Sequence, residues 1–173
     1  MDECDLHTHP HLAKVWQRRG QPMSVPAAGE DERIAVYGAL DYASGRVLAC
    51  TAASKDGAGF AAFLEQVAQA WPAQTLVLVL DNASYHRGAA MRTWWAAQDG
   101  RVLPCWLPKY APHLNLLERV WRFLKQKLAC HRFWADPEGL RQAAMTLLHQ
   151  TEARFHAPDR PNIRLGQNFC QSA

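Results

Sequence analysis

The tightest constraint on this chain is a short run, Leu76–Val77–Leu78–Val79–Leu80, that ends on an acid, Asp81. With Thr75 it forms a continuous apolar stretch bounded by turn residues. Such a stretch predicts a strand buried on both faces, which places it at the centre of a sheet. Upstream, Phe60, Phe63, Leu64, Val67 and Trp71 share one helical face and stop before Pro72. That spacing predicts an amphipathic helix leading into the strand. A second helix is expected over about 86–98, with Met91, Trp94 and Trp95 inward and Gly100 as its C-cap.

Arg101 to Leu107 reads as another short strand, followed by a Pro-rich loop from Pro108 to Pro112. Helices are expected from about Leu116 to Ala129 and from Asp136–Pro137 onward, the latter opening on an N-cap and a proline at N1. Leu140, Ala144, Leu147, Leu148, Thr151 and Phe155 form its inward face. Near the start, Ile34 to Asp41 and Arg46 to Ala52 flank turn chemistry at 42–45 and read as a hairpin. The first thirty residues, with Pro10, Pro22, Pro26, Gly20 and Gly29, read mostly as a long loop.

Adjacent strands at the start pair antiparallel, and later strands reached through helices add in parallel. The expected fold is α/β, a mixed sheet with helices on both faces, over a domain of residues 1–157. A loosely packed tail is expected at 158–173. With 173 residues, 49% hydrophobic and 20% charged, the chain is large enough for one cored domain. Five cysteines without a CxxC pair argue for reduced thiols rather than a disulfide scaffold. No apolar run approaches the roughly 20 residues of a membrane span, and no signal peptide is expected. The expected location is therefore cytoplasmic. The formal charge of +3 is compatible with a nucleic-acid partner without demanding one.

Two segments carry chemistry. Asp81 follows the apolar strand directly, in Asp81–Asn82–Ala83–Ser84–Tyr85–His86. Strand ends are where sites gather in α/β sheets, although the same residues also suit a turn and a helix cap. Glu118 follows in Leu114–Asn115–Leu116–Leu117–Glu118. On a helix whose apolar stripe is Leu114, Leu117, Trp121, Leu124 and Leu128, it lies about 80° from the stripe's centre, at the rim of the buried face. Asn115 as N-cap with Glu118 at N3 is the structural alternative.

Taken together, the Asp–Asn–x–x–x–His turn after an apolar strand and the Pro-rich loop before Leu–Asn–x–x–Glu and Trp121 resemble the mariner-like transposases and their bacterial insertion-sequence relatives. Asp2–Glu3, followed by Trp16–Gln17–Arg18–Arg19–Gly20, resembles that family's Asp–Glu and Trp–x–x–Arg–Gly segment. The resemblance covers about residues 2–150. It implies an RNase H-like fold and a catalytic, metal-binding triad of Asp2, Asp81 and Glu118 holding two Mg²⁺ (or Mn²⁺) ions. It also implies cleavage and strand transfer of double-stranded DNA, and a homodimer.

In that family the first strand precedes and contains its Asp. Only Met1 precedes Asp2 here, so that strand is expected to be truncated, with Asp5 and Asp41 as substitutes for the first ligand. An upstream helix-turn-helix half of a split transposase is an expected partner. Expected DNA contacts are Arg18, Arg19, Lys109, Arg119, Arg122 and Lys125. Lys127 and Arg132 continue the basic run. Asn82 and His86 are candidates for touching substrate or water.

Two other readings compete. One is a catalytically inactive remnant of such a domain, suggested by the truncated strand. The other is a metal-dependent hydrolase using Asp5–Leu6–His7–Thr8–His9–Pro10–His11, which resembles the Asp–x–His–x–His start of amidohydrolases.

Overall fold

A computed structural model describes residues 1–151 apart from residues 15, 17, 23 and 110. The expectations for Phe155, for the 158–173 tail and for Gln17 fall outside the described residues. Three strands form an antiparallel sheet in the order β1 (Asp2–His7), β2 (Arg33–Leu40) and β3 (Val47–Ala52). Helix α1 (Gly57–Ala70) leads to β4 (Leu76–Leu80), and α2 (Ala89–Ala97) leads to β5 (Val102–Trp106). Strands β4 and β5 pair in parallel. The expected mixed sheet is thus present as two hydrogen-bonded pieces, joined where the Met1 amine donates to the Val79 carbonyl at 2.9 Å. Helices α3 (Leu117–Leu128) and α4 (Pro137–Thr151) complete the described chain.

Local chemistry accounts for these boundaries. Asp56 caps α1 by accepting from the Gly59 amide, and the helix ends at Trp71, before Pro72. Asp136 accepts from the Gly139 amide in the same way at the start of α4. Each cap satisfies a first-turn donor and is worth about 1 kcal/mol.

Two apolar cores lie on opposite faces of β2. On one side Phe60, Phe63 and Leu64 of α1 pack with Tyr37, Leu80 and Met91. On the other, Leu117, Trp121 and Leu124 of α3 and Leu140 of α4 pack with Leu6 and Val36. Each such side chain, fully buried, contributes about 1.5–3 kcal/mol.

Three expectations need correction. The first strand is not missing. Asp2 to His7 pairs with β2 along its whole length, from Asp2↔Gly38 to His7↔Arg33. Its sequence resembles loop because, facing α3, only Cys4 and Leu6 are apolar, while acids occupy the alternate positions Glu3 and Asp5. Second, β4 is not buried on both faces, whereas β2, in the middle of the antiparallel sheet, has Ile34 to Ala39 all buried. In β4, Val77 and Val79 are 61% and 36% exposed, because no helix among the described residues covers their face. Third, the expected helix over about 86–98 is broken. A 3-10 turn at Ser84–Arg87 comes first, and α2 starts after Gly88.

The Trp121 ring abuts β2 at Gly38, where an added Cβ would stand 2.5 Å from Trp121 Cη2. Gly38→Ala is expected to destabilise the fold by about 1–3 kcal/mol, an overpacking cost, read as a lower denaturant midpoint at unchanged slope.

Candidate active site

Successive side chains on a strand point to opposite faces, and β1 uses this to separate two adjacent acids. Asp2, opposite Gly38, faces α3, where the Trp121 indole N–H donates to its Oδ2 at 2.8 Å. Glu3, opposite Tyr37, faces the α1 side, where it meets Tyr85 and His86. Asp81 stands at the end of β4, directly after Leu80. Glu118 projects from the first turn of α3. Asp2, Asp81 and Glu118 line one open cavity of about 390 Å³, together with Asn82, Lys109 and Asn115.

The surroundings of the three acids differ. Asp2 is buried, and desolvation pushes its carboxyl up to about 6 against the lowering effect of the Trp121 hydrogen bond. The neighbouring His86 holds Asp81 below the usual carboxylate range, with the Ala83 amide adding to the effect. Glu118 is exposed. The Asn115 side chain accepts from the Leu117 amide in a turn just before α3, whose N-cap is Leu116, and among the described residues no hydrogen bond returns from Glu118, so the expected capping box is not formed. No Lys or Arg pairs with any of the three among the described residues, and no three acids, histidines or cysteines are drawn into ligand contact. Like charges without a counter-ion hold apart.

The other candidates resolve clearly. Asp5 pairs with Lys55 at 2.6 Å, and Asp41 accepts from Ala43 and Ser44 in the hairpin turn. Neither reaches the cavity. The Asp5–His11 segment forms no metal cluster. His7 is tied to Asp31 at 2.8 Å, and the His11 backbone is bridged to Cys130. That disposes of the hydrolase reading.

Asn82 lines the cavity, with its amide donating to the Leu107 carbonyl and its oxygen accepting from Arg87, so it ties the tips of β4 and β5 together. His86 cannot touch substrate. It is fully buried, with its ring 4.0 Å from that of Phe60.

Arg122 and Lys125 share the Glu118 side of α3 and line a groove of about 870 Å³ that continues from it. No ion pair joins Glu118 to Arg122 among the described residues. Arg18, Arg19 and Arg119 are exposed but line neither opening. Lys127 lies 6.0 Å over the Phe123 ring, and Arg132 stacks 4.1 Å over Trp134.

Sequence reasoning missed Trp121, Gly38, Glu3 and Tyr85 as parts of the site. The signal for Trp121 was its place one turn beyond Glu118 on the apolar stripe. Nothing local signals the roles of the others.

Three carboxylates thus line one cleft at the strand ends of a mixed α/β fold. The family model described as DDE superfamily endonuclease matches residues 1–141, and the chain belongs to that family. It is 29% identical over 138 residues to the insertion element IS630 uncharacterized 39 kDa protein of Shigella sonnei, covering 77% of this chain and 40% of that protein. The chain therefore spans less than half the length of this curated relative. Among solved structures it resembles a Mos1 transposase paired-end complex with left transposon end, with a TM-score of 0.68 and 17% identity over 90% of this chain and 48% of that one. It also resembles a Mos1 mariner paired-end complex with Mn, with a TM-score of 0.58 and 14% identity over 92% of this chain and 55% of that one. Among the described residues no helix is long and apolar enough to cross a membrane.

Burial alone would lower the His86 pKa, but Asp81 and Glu3 outweigh it and raise it to about 9 from an ordinary 6.5. Its charged form therefore stabilises the fold fully below pH 6.5, and that contribution is lost as pH rises through about 9. The stability difference between the unsubstituted protein and His86→Gln, measured without divalent ions, is expected to be largest below pH 6.5 and to shrink towards pH 9.

Proposed function

We propose that this domain is the catalytic core of a transposase that cuts and joins double-stranded DNA at the ends of an insertion element, with Asp2, Asp81 and Glu118 holding two Mg²⁺ or Mn²⁺ ions. The observation that carries the reading is that these three carboxylates line one cavity with no Lys or Arg paired to them among the described residues. The donor set fits such ions. It consists of hard oxygen ligands, which Mg²⁺ and Mn²⁺ prefer, and it includes a buried carboxylate that gains by being neutralised. Bound ions supply Lewis-acid activation of the attacking hydroxyl and stabilisation of the leaving oxygen.

The chain's own residues do the positioning. Trp121 holds Oδ2 of Asp2 and so fixes which way that carboxylate faces. Asn82 keeps the β4 and β5 tips together beside Asp81. Arg122 and Lys125, in the groove that shares Glu118, bind phosphates of the duplex and align the scissile bond with the acids. Lys109 lies at the cavity itself and contacts the nearest phosphate. Arg18, Arg19 and Arg119 are outlying contacts, free in solvent to meet DNA. Moving an element requires both of its ends to be held, which supports a second copy of the chain as partner. End recognition is assigned to an upstream helix-turn-helix half, and the protein works in the cytoplasm, at the nucleoid when bound to DNA.

Two measurements test this reading. Asp81→Ala and Glu118→Ala are each expected to cut Mg²⁺- or Mn²⁺-dependent nicking of element-end DNA by more than the roughly 100-fold that outer-shell partners contribute. Retained nicking in either variant overturns the reading. Arg122→Ala is expected to weaken duplex binding and to reduce the slope of log affinity against log salt by about 1, one phosphate contact's share.

A further inference from the structure

We propose that Glu3 and His86 form a buried brace that orients Asp81, with His86 as the positioning residue and Glu3 as its anchor. The inference rests on the reading of Asp81 as a cation ligand. Glu3 cannot serve as a ligand itself. Its side chain is 3% exposed, its Oε1 is 3.1 Å from His86 Nε2, and its Oε2 accepts from the Tyr85 hydroxyl at 3.0 Å. The opposite ring nitrogen of His86, Nδ1, stands 3.0 Å from Oδ1 of Asp81, at ion-pair distance but outside hydrogen-bond geometry. The Ala83 amide donates to that same Oδ1 at 3.0 Å. Oδ1 is thus held from two directions, which leaves Oδ2 as the oxygen without a partner among the described residues.

Stability alone gives no reason for this arrangement. Glu3 and His86 sit beside Tyr37 and Phe60, where apolar side chains would pack at least as well. A buried ion pair is often no better than its apolar replacement. What the polar chain accomplishes is to run from a rigid strand, through a ring clamped on Phe60, to a half-exposed carboxylate at the cavity. Outer partners of this kind fix the orientation of a ligand, and removing them weakens metal binding about 10–100-fold.

The test is Mn²⁺ binding by calorimetry, alongside melting temperature, for the protein and its Asp81→Asn, His86→Gln and His86→Asn variants. The Gln amide reaches towards Glu3 but not Asp81, whereas the Asn amide stands near the former Nδ1. His86→Gln is expected to bind Mn²⁺ about 10–100-fold more weakly, and His86→Asn to recover most of the loss even if it melts lower. Affinity that follows melting temperature, or His86→Gln binding as tightly as the unsubstituted protein while Asp81→Asn fails, overturns the brace alone. Unweakened binding by Asp81→Asn, or no binding by the unsubstituted protein, overturns the ligand reading and the brace with it. A second measurement needs no substitution. On addition of Mg²⁺, the ring nitrogens of His86 in ¹⁵N-histidine-labelled protein are expected to shift although the ring is sealed from the cavity, and unmoved resonances overturn the proposal.

Discussion

Two carboxylates on adjacent residues of one strand are forced to opposite faces of the sheet, and the organisation of this domain follows from that separation at Asp2 and Glu3. The face that receives Asp2 carries α3, which brings an indole donor at Trp121 and, one turn earlier, Glu118. The face that receives Glu3 carries the 3-10 turn after β4, which brings Tyr85 and His86 and, through His86, reaches Asp81. One strand end therefore reaches both other carboxylates, each by a different route.

The electrostatics divide in the same way. On the Glu3 face two acids share one buried histidine and a hydroxyl, and the cluster is internally compensated. On the Asp2 face the Trp121 indole and the Met1 ammonium offset burial only in part. Burial drives the Asp2 carboxyl towards its neutral form, and the nearest cations on α3, Arg122 and Lys125, point into the adjoining groove rather than onto an acid. The cavity gathers acids, whereas the adjoining groove mixes charges, with Arg122 and Lys125 on one wall and Asp5, Lys55 and Asp31 among its other lining residues.

How much of this was legible in the sequence depends on the range of the signal. Helices α1, α3 and α4 were legible because their apolar spacing is local and strongly periodic, as at Phe60–Phe63–Leu64–Val67. The β4 run was legible as a strand but not as an edge of the covered sheet. An apolar run records what a strand can bury, and only the neighbouring elements decide whether Val77 and Val79 are covered. β1 was illegible because the positions facing away from α3, Glu3 and Asp5, are acids whose partners are distant in sequence. Tyr85 is 82 residues away from Glu3, and Lys55 is on the loop before α1. The same acids and the following histidines imitated a metal motif, which the pairing of His7 with Asp31 dissolves. The site could be located from the motifs at Asp81 and Glu118. Its supporting residues could not, since a long-range hydrogen bond leaves no periodicity.

β2 ties these halves together. Tyr37 and Gly38, side by side, stand opposite Glu3 and Asp2. The Tyr37 hydroxyl accepts from the Asp56 amide and so fixes the start of α1, where only a glycine at position 59 leaves room for the ring. Gly38 in turn admits Trp121 on the opposite face. Each core is thus keyed to a residue of β2 one position from the other. A one-residue slip of β1 against β2 would exchange the faces of Asp2 and Glu3, putting Glu3 on the cavity side and Asp2 beside His86. The apolar content of β1 is too small to forbid that slip through burial alone, with only Cys4 and Leu6 facing α3. The polar contacts of Asp2 with Trp121 and of Glu3 with Tyr85 and His86 therefore specify register as well as chemistry. This gives a physical reason for an acid pair at the one strand end where an apolar pair would have packed more simply.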